Sequence, residues 1–484
     1  VEKSLVEAVD SELGMRYRML ETVRAFCAEQ LDAAGERDVL RTSHAAHFVE
    51  FAETAAPNLH AADQIEWLDR LDADHDNIIA ALHWATESGD ADRAIRLGAA
   101  LCWYWSMAAQ HGELNSRLDA VAALPGAAPP ASRAIIDLMR VITSNTPDWF
   151  QRLQSAVTVV RDTDAQSRYL YAAIMEPVGW LLTGELSEMD DCVERSLRHP
   201  HPWVRSAGLF CRAFGTEHTG NPVDGEKDML AALAEFQQIG DRWGTASAIT
   251  SIAEYRSRRG DHEGAIEALQ ESAATLRELR STDDLVPVLV RIGMERLRAG
   301  DVAAAWSDLR HAEQIGRNAV SYHRIGTLSG LAEAARISGD RAAAREYLAK
   351  ARTALGETTV APQPFRQLEL TCEARLCIDE NRLDEAKAKL AEALVAGLDI
   401  RDMPMNATLA EQAARAEFVG GKPERAARLL GLAIALRGLL DEGDPEVRAL
   451  LRELDGEHRA ERDSAPAQPR DDALAELRDA LGAA

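Results

Sequence analysis

Along the second half of the chain, apolar positions recur at helical spacing, and the pattern itself repeats. Seven turn-forming residues, Gly184, Gly220, Gly260, Gly300, Gly339, Asn381 and Gly421, stand 36, 40, 40, 39, 42 and 40 residues apart. Counted from the last five, the fifth residue is Ala265, Ala305, Ala344, Ala386 or Ala426, and the ninth is Leu269, Leu309, Leu348, Leu390 or Leu430. The twelfth is Ser272, Ala312, Ala351, Ala393 or Ala433. Steps of four and three place these residues on one helix face, a large one between two small ones, so that a neighbouring helix can approach closely. Gly or Asn at the anchor can take the left-handed conformation that ends a helix. Asp261, Asp301 and Asp340 are then expected to cap the next one. Upstream copies are degraded: Gly184 is followed by Met189, Val193 and Ser196, and Gly220 by Gly225, Met229 and Ala232. The turn at Gly89-Asp90 keeps Ala94 but carries Gly98 and Leu101 in place of the large and small residues.

A unit that cannot bury its own apolar face stacks on its neighbours, so six or more such units predict an all-α, right-handed superhelix (solenoid) with a concave surface. The alternative is a generic helical bundle. The Gly-Asp turn with its small, large and small positions resembles the tetratricopeptide repeat, with a period longer than that repeat's 34 residues. The expected plan is an N-terminal element at 1–34, first helical units at 35–123, a Pro-rich loop at 124–132 and repeats over 133–440. A capping region follows at 441–463, with its helix at Pro445 to Leu454. A linker and an acidic terminal helix occupy 464–484.

Composition narrows the function. A hydrophobic share of 46% with 27% charged residues is that of a folded soluble chain. Fifty-four basic against 79 acidic residues give a net charge of -25, which opposes nucleic acid and anionic lipid. The six cysteines are scattered without a CxxC pair, and no run of 18 apolar residues occurs, which points to the cytoplasm and away from a membrane. The first residue is Val, so the sequence is expected to be cut from a longer polypeptide.

Residues 1–34 do not follow the repeat. Ser4 to Ala8 and Met15 to Met19 are strand candidates around the turn Asp10 to Gly14, and a helix follows from Glu21 to Ala33. Two strands and one helix are too little for a domain. Val1-Glu-Lys-Ser-Leu-Val6 with Arg16-Tyr-Arg-Met-Leu-Glu-Thr-Val-Arg-Ala25 resembles the end of the winged helix in actinobacterial STAND-type regulators, the AfsR-like (SARP) and LuxR-like proteins. Trp67-Leu-Asp-Arg-Leu71 and Asp74-His-Asp-Asn-Ile-Ile-Ala-Ala-Leu-His-Trp84 are similar to that family's next helices, and Gly421-Lys-Pro-Glu-Arg-Ala-Ala-Arg-Leu-Leu-Gly431 to its last repeat. The resemblance implies a sensor arm that answers a small-molecule inducer or a protein or peptide. It implies an NB-ARC ATPase and the rest of the winged helix as partners within the same polypeptide, with homo-oligomers possible. ATP is expected only on that NB-ARC domain, and no cofactor on this chain: its Gly421-Lys422 pair is followed by Pro423, not by the Ser or Thr of a phosphate loop. A constitutive interaction scaffold is the alternative.

Candidate chemistry is sparse. His44 and His47 stand one helical turn apart, but no Glu completes a zinc-hydrolase motif. His199-Pro-His201-Pro-Trp203 reads as a loop, because its prolines interrupt a helix. Cys372 and Cys377 read as ordinary thiols. No metal site and no catalytic residue is expected. The aromatic residues form the irregularity: 14 of 25 lie between residues 101 and 260, where the repeats are degraded. In Trp103-Tyr104-Trp105 neighbouring side chains diverge by ~100°, so at least one ring is expected to face a groove or a packing partner. Trp103, Trp105, Trp149, Trp180, Trp203, Trp243 and Tyr255 are the candidate ligand-binding residues, against the alternative that they fill gaps between helices.

Overall fold

At each of the seven anchors the backbone turns left-handed, with φ between 71° at Gly184 and 87° at Gly300 for the glycines and 57° at Asn381. A side chain with a Cβ resists that conformation, which is why the turn residue repeats where the surrounding sequence drifts. The computed structural model describes residues 5–11, 14–107, 111–142, 148–318, 321–357, 363–398, 401–454, 456–466 and 468–483.

A two-stranded antiparallel hairpin opens the chain, β1 (Glu7–Ser11) with β2 (Gly14–Arg18). The first strand lies three residues later than the sequence pattern predicts, and part of the intervening turn falls outside the described residues. Six helices follow: α1 (Glu21–Ala34), α2 (Arg37–Asn58), α3 (Gln64–Ala73), α4 (His75–Glu87), α5 (Ala91–Met107) and α6 (His111–Ala122). The Pro-rich loop is shorter than expected, because Pro130 already begins the next helix, where its missing N–H costs nothing. Degraded hairpins come next: α7 (Pro130–Ile142) with α8 (Trp149–Asp162), and α9 (Ala172–Leu182) with α10 (Leu186–Leu197).

Six hairpins then follow in series. They are α11 (Pro202–His218) with α12 (Pro222–Ile239), α13 (Arg242–Arg258) with α14 (His262–Glu278), and α15 (Thr282–Arg298) with α16 (Val302–Ile315). The rest are α17 (Ser321–Ile337) with α18 (Arg341–Glu357), α19 (Gln363–Asp379) with α20 (Leu383–Gly397), and α21 (Met403–Val419) with α22 (Pro423–Arg437). Each anchor from Gly220 on joins the two helices of one hairpin. The side chains of Asp261, Asp301 and Asp340 accept from the backbone N–H three residues on, at 3.0, 3.1 and 3.0 Å. All fifteen residues at the fifth, ninth and twelfth positions are buried, none more than 3% exposed. The periodicity therefore marks the helix face that packs inside each unit, and the stack is an all-α, tetratricopeptide-like superhelix.

The first helix of each hairpin lies on the inner side. Contacts run α15 to α17, α17 to α19 and α19 to α21, and the curl brings α11 against α21. Three short helices end the chain: α23 (Pro445–Leu454), α24 (Arg459–Asp463) and α25 (Arg470–Leu481). The segment expected as a linker is partly anchored, since Ala465 is buried against α22. The terminal helix buries Ala473 and Leu477, and its Glu476 pairs with Arg428 at 2.6 Å. No helix among the described residues is long and apolar enough to cross a membrane.

Candidate functional site

The aromatic residues singled out in the sequence are placed mostly in the core. Trp103, Trp105, Trp180, Trp203 and Tyr255 are at most 4% exposed, while Trp149 and Trp243 are half-buried. Trp103 stacks on Tyr171 at 5.7 Å and meets Trp243 edge-on at 4.8 Å, with the His60 ring between Trp103 and Trp203. Three consecutive large rings can all be buried because α5 is enclosed by α2, α4, α6 and α7. The packing-partner branch of the expectation describes them. Trp149 donates its indole N–H to the Val141 carbonyl at 2.9 Å, and Trp243 to Asp284 at 3.1 Å. The histidine pairs are also built into local packing: His44 and His47 flank Phe48, and His201 accepts from the Trp203 backbone N–H at the start of α11. Cys377 is buried and Cys372 half-buried.

The concavity lies elsewhere. A cavity of about 490 Å3 opens between α11, α13 and α15 on one side and the start of α21 on the other. None of the seven aromatic candidates lines it; its aromatic wall is Phe214, with Leu181, Met294 and Met405 as other apolar surfaces. Its polar walls are Glu217, Glu254, Arg258, Glu295, Arg298 and Arg437. Those from Glu217 to Arg298 face the interior because the inner helices present them in register, Arg437 reaches it from the end of α22, and each is matched. Arg258 pairs with Glu217 and Glu254, both at 2.5 Å, and Arg437 with Glu411 at 2.5 Å. Burial raises the Glu254 carboxyl, but the Arg258 and Arg291 guanidiniums outweigh it and hold it at about 2. For Glu217 the balance reverses: burial and the Glu254 charge push its pKa up against Arg258.

The floor of the concavity comes from the chain's own C-terminal side. After α22 the loop 438–444 and α23 fold back across the inner helices. Asp441 accepts from both terminal guanidinium nitrogens of Arg298 on α15, and Asp444 meets Arg375 on α19 at 3.3 Å. Glu446 lies 2.9 Å from Arg336 on α17 and 3.0 Å from Arg415 on α21. Asp444 also accepts from the Glu446 N–H at 2.8 Å and so starts α23. Burial raises the Asp444 carboxyl, while Arg375 and Arg298 prevail and lower it. On the opposite flank Gln64, at the start of α3, donates to Asp241 at 3.1 Å, and Arg280 pairs with Asp72 at 2.6 Å.

These inner arginines are not among the candidate residues of the sequence. They carry a signal: Arg258 and Arg298 each stand two residues before an anchor, Arg336 three before, and Arg375 and Arg415 six before Asn381 and Gly421.

No family model matches the chain. HTH-type transcriptional regulators of Mycobacterium bovis and Mycobacterium tuberculosis are each 25% identical to it over an alignment 489 positions long, covering 90% of this chain and 54% of theirs. The chain thus spans about half the length of the curated relatives it matches. Among solved structures, a Rap protein complexed with Competence and Sporulation Factor superposes with a TM-score of 0.50 at 14% identity, over 72% of this chain and 100% of that one. That last likeness is one of fold, and it agrees with the architecture described above: the chain is an all-α, tetratricopeptide-like superhelix.

Proposed function

We propose that this chain is the sensor arm of a STAND-type transcriptional regulator of the AfsR-like and LuxR-like kind, working in the cytoplasm. In this reading its superhelix takes an inducer or a protein partner in the concave cavity. The observation that carries it is the alignment of nine-tenths of the chain with half of an HTH-type regulator. A second feature fits. Leu5, Val9, Met15, Tyr17, Leu20, Phe26, Val39 and Leu40, half of the large exposed apolar side chains among the described residues, fall on the hairpin, the residues flanking it and the first two helices. An apolar surface of that extent calls for a partner surface, and a winged helix with its NB-ARC ATPase would supply one. ATP would bind there, and we assign the arm itself no catalytic step and no contact with DNA.

The arm would act by binding its ligand better in one of two states, which requires a difference of ~1–3 kcal/mol. The test is the longer polypeptide. The reading frame upstream of the Val1 codon should continue into a nucleotide-binding domain, and Arg298→Ala should change that polypeptide's ATP turnover several-fold. A start codon next to Val1, or turnover indifferent to the cavity, would instead favour a constitutive interaction scaffold. One observation leans that way: the curl is tied shut, with Arg470 donating to the Gly220 carbonyl at 2.6 Å and to Asn221 at 2.8 Å.

A further inference from the structure

The segment 438–446, the loop with the first residues of α23, is held as a peptide ligand would be held. Four arginines from four successive inner helices, Arg298, Arg336, Arg375 and Arg415, divide three carboxylates, Asp441, Asp444 and Glu446, among them. The backbone takes part as well: the Gly443 N–H donates to the Arg258 carbonyl at 3.0 Å. A Cβ at 443 would lie 1.8 Å from the Ser257 carbonyl oxygen, so only glycine lets the loop lie this close to α13. The segment Asp441-Glu-Gly-Asp-Pro-Glu446 is thus recognised by side-chain charge at three positions and by the missing side chain at a fourth.

We propose that the inner arginines form a track for an acidic peptide with carboxylates spaced around a glycine, that residues 438–446 are its resident occupant, and that an acidic segment of a partner protein binds by displacing them. The inner helices supply part of the counter-charge, Glu333 to Arg336 and Arg375 and Asp379 to Arg336 and Arg415, and the acids on the track supply the rest. An emptied track would leave Arg336 and Arg375 among buried groups with part of their counter-charge lost, which is costly. A second acidic segment restores the same pairs, so exchange is nearly even in contact energy. The resident's advantage is its covalent tether, a matter of effective concentration. The cavity shares Arg298 and Asp441 with the track, so the resident borders open space through which an incoming segment can reach it.

This inference rests on reading the concave face as the binding face, and its test uses this chain alone, so its failure leaves the regulator reading to the longer polypeptide. The probe is a fluorescein-labelled peptide of residues 438–450, titrated by anisotropy into the wild-type chain and into Asp441→Asn/Glu446→Gln. The variant should bind the peptide about ten-fold or more tightly than the wild type, because its resident is weakened. The same peptide with Asp441, Asp444 and Glu446 replaced by Asn, Asn and Gln should bind about ten-fold or more weakly. In the wild type, saturating peptide should raise hydrogen exchange over 438–454. Equal binding to both chains, or equal binding of the amide peptide, overturns the proposal. Should the variant lose its helical circular dichroism, unchanged exchange over 438–454 in the wild type overturns it as well. Displacement by free glutamate or phosphate as effective as by the peptide would reassign the track to small anions and also overturn it.

Discussion

The Gly443 N–H and the Arg258 carbonyl join the loop after the last hairpin to an inner helix four hairpins earlier, at 3.0 Å. Together with the Arg298–Asp441 pair and the Arg470 bonds to Gly220 and Asn221, this bond helps the two ends of the curl hold each other. Gly443→Ala should break it: the added methyl meets Ser257 O and, at 2.6 Å, an Arg298 nitrogen. We expect a loss of ~1–3 kcal/mol in urea unfolding, with faster hydrogen exchange confined to 438–454 and the facing turn of α13. Gly326→Ala, in α17 with nothing within 4 Å of its Cβ position, should be neutral or slightly stabilising.

Leu348 fills the space between Ala344 and Ala351 and is 3% exposed. Leu348→Ala should cost ~2–5 kcal/mol through the cavity it leaves. Glu346 lies exposed on the same helix and pairs with the exposed Lys350, so Glu346→Ala should cost well under ~1 kcal/mol. Equal losses from the two substitutions, measured by denaturant unfolding, would contradict the helix phase.

How much of this was legible in the sequence follows from which forces are local. The anchors could be read because a left-handed turn selects Gly or Asn wherever it occurs, and Leu348 could be read because its small neighbours lie three and four residues away. Pairs such as Arg298 with Asp441 could not, since nothing within either segment says which part of the chain will come back to meet it. The aromatic residues were legible as an irregularity, not as a site. Whether Trp103 faces a groove or a core depends on how many helices surround α5, and that is settled by packing across the chain.

Arg437 and Glu411 are 3% and 2% exposed and face each other at 2.5 Å. Glu411→Ala leaves a buried guanidinium with Thr408 and the Pro404 carbonyl as its remaining acceptors. The expected loss is ~3–5 kcal/mol. The double replacement Glu411→Leu with Arg437→Met should recover most of it, because the pair's attraction is largely offset by the desolvation of its charges. Denaturation midpoints of the wild type and the two variants check this, and a double replacement as damaging as the single one would show that the pair contributes more than its desolvation removes.

His60 lies against Trp203 with ring centroids 4.2 Å apart. Burial, with a smaller repulsion from His201, drives its pKa down to about 3. An unfolded histidine titrates near ~6.5, so between pH 6.5 and 3 the unfolded chain binds a proton that the folded one refuses, and stability falls as the pH falls. By pH 5 the loss from this residue reaches ~2 kcal/mol. Nearby Asp241 works in the opposite sense. Burial pushes it up to about 6 against the donors Trp203 and Gly244, so its folded carboxyl takes up a proton first and gains stability as the pH drops from 6 towards 4. His60→Phe keeps a ring in the cluster and removes only the acid-labile contribution. Urea unfolding followed by tryptophan emission at pH 7 and pH 5 should therefore show a drop in stability smaller by ~2 kcal/mol in the variant than in the wild type. An equal drop in both would mean that the imidazole accepts its proton inside the folded protein.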